Sequence, residues 1–216
     1  CGLAQTLAPH SKTVAVIKAD AYGHGAVEVA KALQPQVEMF TVSCLEEALV
    51  LRENGISKPI LLLEGCFDKT ELKIAQHNQC EIVVHSSLQL DQLLNATLKT
   101  PINVWLKIDT GMHRLGILPE NVKSTYAKLM ASDNVKNIVL VTHFAHADDV
   151  GGAHTTKQIS RFENCIQPIV ANTSQKVELS MANSAALLAW PQTRVDWNRP
   201  GIMLYGVSPF IEPNDA

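Results

Sequence analysis

The feature that most constrains this chain is a regular alternation of short apolar runs with longer segments of helical period. The runs fall at residues 13–18, 39–42, 59–63, 81–84, 102–108, 137–142, 176–179 and 201–204, and helical patterns occupy 46–53, 70–76, 88–98, 120–130 and 157–170. Several helices carry start signals. Ser43-Cys44-Leu45-Glu46, Ser86-Ser87-Leu88-Gln89 and Thr155-Thr156-Lys157-Gln158 fit a capping box, and Asp68-Lys69-Thr70-Glu71 is a looser version. In such a box a hydroxyl satisfies the N3 amide while the N3 side chain reaches back. Pro119 suits a first helical position, where its missing N–H costs nothing. Eight strands with helices between them, and no strand-rich block, argue a parallel sheet. Eight is also the number that closes a (β/α)8 TIM-type barrel, for which about 250 residues is typical. A doubly wound open sheet fits the same pattern. With no low-complexity linker and no repeat beyond the βα unit, residues 1–216 read as one domain.

Composition narrows the class. The chain has 216 residues, 46% of them hydrophobic, and a formal net charge of −3 without a Lys/Arg run, which speaks against nucleic acid as a partner. Its longest aliphatic stretch is residues 60–63, against the ~20 needed to cross a bilayer, so no membrane partner is expected. The five cysteines are widely spaced, with no C-x-x-C, and read as thiols of a reducing compartment. A first residue that is Cys1 and a final stretch, 211–216, that completes no helix or strand predict a piece of a longer protein.

The most informative segment is Val14-Ala15-Val16-Ile17-Lys18-Ala19-Asp20-Ala21-Tyr22-Gly23-His24-Gly25. Lys18 ends an apolar strand, where burial disfavours the ammonium and prepares an amine for Schiff-base chemistry. A lysine at a strand end also commonly snorkels to solvent. What distinguishes this one is the next loop, with two glycines around a histidine at the strand-to-helix turn where a barrel keeps its active site. Gly23-His24-Gly25-Ala26-Val27-Glu28 is not a dinucleotide fingerprint, because Glu28 holds the third glycine position. His146, Asp148, Asp149 and His154 invite a zinc reading, but their spacing fits no standard set, and no metal is expected.

The run from Val16 to Gly25 resembles the pyridoxal-phosphate lysine motif of the alanine racemase family. The resemblance continues through Val104-Trp105-Leu106-Lys107-Ile108-Asp109-Thr110-Gly111-Met112-His113-Arg114-Leu115-Gly116, Thr142-His143-Phe144-Ala145, Ala182-Asn183-Ser184 and Arg199-Pro200-Gly201-Ile202-Met203-Leu204-Tyr205-Gly206. It implies a (β/α)8 barrel that binds pyridoxal 5′-phosphate as an internal aldimine on Lys18 and interconverts L- and D-alanine. That reaction supplies D-alanine for peptidoglycan in the cytoplasm. Racemisation needs acid/base groups on both faces of the α-carbon, and Lys18 would be one of them. Tyr22, Ser184, Gly201 and Ile202 resemble the phosphate-binding set, with Asn183 close to the cofactor. Arg199 matches the partner of the pyridine nitrogen; an arginine has no proton to give that nitrogen and leaves a weaker electron sink. Arg114 matches the group near the phenolic oxygen and the substrate carboxylate. His143 matches the histidine beside the ring, and Lys107 a lysine that is often carbamylated. His24 and His113 shape their loops.

The resemblance further implies a homodimer whose second base is a tyrosine from a C-terminal β-domain. Tyr22, Tyr126 and Tyr205 do not match that residue, so the chain is expected to bind the cofactor but to racemise alanine poorly. A barrel-type amino-acid decarboxylase or aldolase and a non-catalytic pyridoxal-phosphate carrier are the alternatives.

Overall fold

In the computed structural model, which describes residues 1–210, eight parallel strands close into a barrel in the order of the chain. They are β1 (Lys12–Val16), β2 (Met39–Val42), β3 (Ile60–Leu62), β4 (Cys80–Val84), β5 (Ile102–Lys107), β6 (Val135–Val141), β7 (Glu178–Ser180) and β8 (Trp197–Asn198). Closure is made by the β1–β8 pairing, Lys12 against Trp197 and Thr13 against Asn198. The helices are α1 (Gly2–Leu7), α2 (Ala26–Leu33), α3 (Leu45–Glu53), α4 (Lys69–His77), α5 (Ser87–Leu94), α6 (Pro119–Met130), α7 (Ala153–Val170) and α8 (Ser184–Ala189). The open-sheet alternative is thereby excluded.

The strands explain why the runs are apolar throughout. Odd and even positions point to opposite faces, and here both faces are buried. Ala15, Ile17, Phe40, Leu62, Val84 and Leu106 pack outward beneath the helices. Val14, Met39, Leu61, Val83, Trp105, Val139, Val141 and Trp197 form a separate core inside the barrel.

Several boundaries differ from the sequence reading. Residues 201–204 do not form the eighth strand; β8 lies at Trp197–Asn198, and Ile202–Tyr205 is a 3₁₀ turn. Pro200 cannot donate a ladder hydrogen bond, and its carbonyl accepts the Val16 N–H instead (3.0 Å). Helix α7 begins at Ala153, a turn before the expected 157, so the Thr155–Gln158 box does not form; Thr155 Oγ1 donates to the His146 carbonyl (2.9 Å). Helix α5 stops at Leu94 rather than 98, where the Asn95 amide folds back onto the Asp91 carbonyl (2.8 Å). The box at Ser43 is displaced by one residue: Glu47, not Glu46, reaches back to the Ser43 N–H (2.7 Å). Asp68 caps as expected, accepting from Thr70 and Glu71 N–H (2.7 and 2.8 Å). Helices α1, α2 and α8 have no counterpart in the sequence reading; all three are short, six to eight residues, and rich in Ala or Leu. Residues 211–216, read as completing no helix or strand, lie outside the described residues.

The N-terminal end of the barrel is plugged by paired indoles. Trp105 and Trp197 lie 5.5 Å apart, centroid to centroid. The Trp105 Nε1–H donates to Glu81 (2.6 Å) and the Trp197 Nε1–H to Glu178 (3.0 Å), while Asn103 also donates to Glu81 (2.8 Å). Burial holds the Glu81 carboxyl above its ordinary range, partly offset by these two donors. A carboxyl so raised opposes folding once it ionises, and its donors matter most above its pKa. Trp105→Phe is therefore expected to cost about 1–3 kcal/mol at neutral pH through the lost donor. Urea unfolding at neutral and mildly acidic pH should show the loss shrinking as pH falls through the raised Glu81 pKa.

Candidate active site

The inward period of the strands runs on past their C-terminal ends. Two residues after Val16, Val83, Trp105 and Val141 come Lys18, His85, Lys107 and His143, and all eight line one cavity of about 630 Å³ at the barrel mouth. The same cavity receives Tyr22, Arg114, Asn183, Ser184, Arg199, Gly201 and Ile202. Every site residue expected from the sequence is thus brought to one place, from five separate loops. Lys18 and His143 stand just beyond β1 and β6 rather than as their last residues.

Lys18 opens an unusual turn. Ala19, Asp20, Ala21 and Tyr22 all take left-handed backbone angles, with φ between 51° and 56°. That conformation costs about 1–2 kcal/mol per L-residue, so something must hold it. The Ala19 N–H donates to Glu47 Oε1 (2.7 Å), and Glu47 Oε2 accepts from Ser43, tying the turn to the β2–α3 loop. Asp20 Oδ1 accepts from the Ala26 N–H (2.7 Å) at the start of α2. His24 stacks on Tyr205, centroids 4.6 Å apart, and the Tyr22 ring lies 5.1 Å from the same tyrosine. The Tyr205 hydroxyl donates to the Val16 carbonyl (3.0 Å). The turn aims Tyr22 at Gly201, where a β-carbon would sit 2.8 Å from the phenol oxygen. Opposite, Ser184 Oγ accepts the Gly201 N–H (2.8 Å) and the Met203 N–H (3.4 Å). Two hydroxyls and the first amides of a 3₁₀ turn thereby converge, an arrangement suited to an anion. Asn183 is engaged as the N-cap of α8, accepting the Ala186 N–H (3.0 Å), and its amide donates to the Phe144 carbonyl (3.4 Å).

Charge is concentrated on the other wall. Arg199 is 5% exposed and donates to Ser180 Oγ, the Thr142 carbonyl (2.6 Å) and the Met181 carbonyl (3.3 Å). Burial lowers its pKa to about 10, which still leaves it cationic at neutral pH. It does not pair with Asp196, which binds Lys176 (2.5 Å) and the Leu179 N–H. Burial, then Arg199 and Arg114, bring Lys107 down to about 8. Burial, followed by Arg199, Lys107, Arg114 and Lys18, holds His143 well below its ordinary value, so the imidazole is neutral. The loop that carries Arg114 is closed on itself. Asp109 Oδ1 accepts the Gly111 and His113 N–H groups (3.0 and 3.1 Å), and its ends are bonded Asp109 N–H to Ile117 carbonyl (3.0 Å) and Ile117 N–H to Lys107 carbonyl (2.8 Å).

Sequence reasoning missed Glu47, His85 and Gln158. His85 was legible in principle, because it follows β4 at the register position that Lys107 holds at the end of β5. It lines the cavity with Nε2 at 3.1 Å from the Glu64 carbonyl, and burial lowers its pKa. Nothing in the sequence marked Glu47 or Gln158 as belonging with the motifs.

Residues 2–209 match the family described as alanine racemase, N-terminal domain. The chain is 48% identical over 200 residues to a catabolic alanine racemase of Pseudomonas putida, covering 93% of this chain and 54% of the relative. It is also 48% identical to an alanine racemase of Chromohalobacter salexigens, covering 99% of this chain and 57% of the relative. Among solved structures, the biosynthetic alanine racemase of Pseudomonas aeruginosa superposes with a TM-score of 0.90 at 41% identity, over 99% of this chain and 58% of that one. The chain spans little more than half the length of each.

The closed Arg114 loop depends on Gly116. At φ +140°, a β-carbon there would lie 2.5 Å from the Asp109 amide nitrogen. Gly116→Ala is expected to destabilise the fold by about 1–3 kcal/mol, read as a lowered midpoint in thermal unfolding.

Proposed function

The chain belongs to the alanine racemase family through its N-terminal domain, and from that premise we propose that the barrel mouth holds pyridoxal 5′-phosphate and serves the interconversion of L- and D-alanine. The observation that carries the reading is a lysine amine, a hydroxyl-and-amide anion cradle and a buried arginine facing a single cavity. The residues fit the cofactor: Tyr22, Ser184, Gly201 and Ile202 form a cradle that a β-carbon at position 201 would obstruct. When bound, pyridoxal phosphate supplies an electron sink that acidifies the α-proton of an amino acid. Lys18 is assigned two tasks, covalent attachment of the cofactor and proton transfer at Nζ on one face of the α-carbon.

Arg199 holds a fixed positive charge where a carboxylate would favour a deeper sink, which favours racemisation over decarboxylation. Arg114 is assigned to the substrate carboxylate, for which a planar guanidinium is a bidentate partner. His143, held neutral among cations, can accept a hydrogen bond that a charged imidazolium could not. None of the three tyrosines is assigned as the base on the opposite face. Tyr22 belongs to the cradle, Tyr205 donates to Val16, and Tyr126 is in α6. One half of a two-base exchange is assigned to this chain. The Arg114 and His143 wall favours turnover over simple cofactor carriage. Alanine as substrate, a second copy of the enzyme as partner and the cytoplasm as compartment belong to the same reading; five free thiols suit a reducing environment.

Lys107 is proposed to carry a carbamate. Its amine is buried beside two arginines, and a pKa of about 8 leaves a substantial neutral fraction at neutral pH. That neutral amine adds to carbon dioxide, forming an N–C bond and releasing a proton, and the product is an anion between Arg114 and Arg199. With ¹³C-bicarbonate, a carbamate ¹³C resonance is expected that Lys107→Met abolishes. It should weaken as pH falls below about 8, because protonation removes the nucleophile; its absence from the unaltered chain refutes the assignment.

The cofactor reading is tested by spectroscopy. Added pyridoxal phosphate should give a near-visible absorbance, and borohydride should fix the added mass on the peptide that contains Lys18. Lys18→Ala should abolish both, and absorbance that survives this substitution overturns the assignment.

A further inference from the structure

Behind the cationic wall, outside the cavity, a buried side chain of α7 bridges the two loops that carry Arg114 and His143. Gln158, on α7, is 4% exposed, and its side chain makes three hydrogen bonds. Its Oε1 accepts the Ala145 N–H (2.9 Å), and its Nε2 donates to the His143 carbonyl (3.1 Å) and to Thr110 Oγ1 (3.1 Å). Thr110 Oγ1 is in turn 2.7 Å from Thr142 Oγ1, which donates to the Ile108 carbonyl (3.1 Å). The Thr142 carbonyl is the acceptor of Arg199.

We propose that Gln158 is a positioning residue that fixes the Arg114 loop and the His143 loop relative to each other, so that the Arg114 guanidinium and the His143 imidazole face one ligand in register. Three observations carry this. The Arg114 loop is a closed body, bonded internally through Asp109, so holding Thr110 holds the whole loop. The His143 loop is gripped on both sides of Phe144, at the His143 carbonyl and the Ala145 N–H. Helix α7 is the longest of the described helices, 18 residues, and a fixed support for both. The Gln158 amide is fully used by groups whose burial makes each lost bond costly. The cradle of Tyr22, Ser184 and Gly201 receives no bond from Gln158, so the effect is confined to the carboxylate side. The inference rests on the carboxylate role proposed for Arg114.

The test uses Gln158→Met, Thr110→Val and Thr110→Ser, with pyridoxal phosphate and propionate as separate probes. Gln158→Met and Thr110→Val keep side-chain volume and remove the Gln158–Thr110 bond, the latter together with the Thr110–Thr142 contact, whereas Thr110→Ser removes a methyl and keeps the hydroxyl. Propionate affinity of the cofactor-loaded chain should fall about tenfold in Gln158→Met and in Thr110→Val, and no further in the double variant, because one link is being cut twice. Thr110→Ser should bind propionate as the unaltered chain does, and pyridoxal phosphate affinity should stay within about threefold throughout. In the unloaded chain, amide exchange at Gly111 and Ala145 should quicken about tenfold in the first two variants and not in Thr110→Ser. A larger effect from Thr110→Ser than from Thr110→Val would mean packing alone and overturn the proposal. So would unchanged exchange in Gln158→Met, or parallel loss of both ligands. Failure of the unaltered chain to bind pyridoxal phosphate refutes the functional reading instead, and the exchange rates still decide the role of Gln158.

Discussion

Closure of eight short strands into a barrel is the constraint on which everything else in this molecule depends. Once the sheet closes, every second residue must point at the axis, and the axis has room only for side chains. At the N-terminal end that room is filled by the Trp105–Trp197 pair and the aliphatic residues around it. Chemistry therefore has one place to occur, the C-terminal mouth, and its depth is set by Trp105, which lies beneath the cavity and lines it. Lys18, Lys107 and His143, which line that mouth, are the next members of the same inward series. Their convergence needs no special local device; it is the pleat continued by one step beyond the hydrogen-bonded strand.

The cost of this arrangement is electrostatic. Lys18, Lys107, Arg114 and Arg199 share one cavity with His143, and burial makes the charges of Lys107 and Arg199 the more expensive ones to hold. The protein lowers that cost in different ways. Arg199 spends its donors on two carbonyls and a hydroxyl, and remains cationic. Lys107, with its pKa lowered to about 8, stays mostly cationic at neutral pH but gives up its proton more readily, and His143 is neutral. Arg114 stays toward solvent. What is left is a site short of negative charge, which is where an anionic ligand contributes most.

How much of this was legible in the sequence follows from which interactions are local. The apolar runs place seven of the eight strands within a few residues, because a strand buried on both faces cannot hide its composition. The eighth was misplaced at 201–204, since β8 is two residues long and Trp197-Asn198 has no apolar pattern to find. The residues that line the cavity and were expected at the site lie in motifs contiguous in the chain, so their meeting at one place could be anticipated. The left-handed turn at Ala19–Tyr22 was not, because neither Ala nor Tyr signals that conformation; its cause is Glu47, 28 residues away. Gln158 is invisible for the same reason. Its position in the helix pattern suggested a cap, and its partners at Thr110 and His143 are 48 and 15 residues distant.

The two walls of the cavity are held by different means, and this bears on how the site can work. The β1 side is strained: four residues stand in a disfavoured conformation, restrained by a carboxylate on α3 and by stacking on Tyr205. The β5–β6 side holds one non-glycine residue, His113, in that conformation (φ 56°) and is bonded to a long helix through a buried amide. Strain is useful where a group must change its covalent partner, since a lysine at the start of a tense turn has less to lose on moving. Rigidity is useful where a carboxylate must be met in one geometry, since any freedom there is entropy to be lost on binding. On the proposed reading, the Lys18 amine and the Arg114 guanidinium thus stand on supports of different character, a strained turn tied to α3 and a loop bonded to α7, which the barrel carries on separate strands.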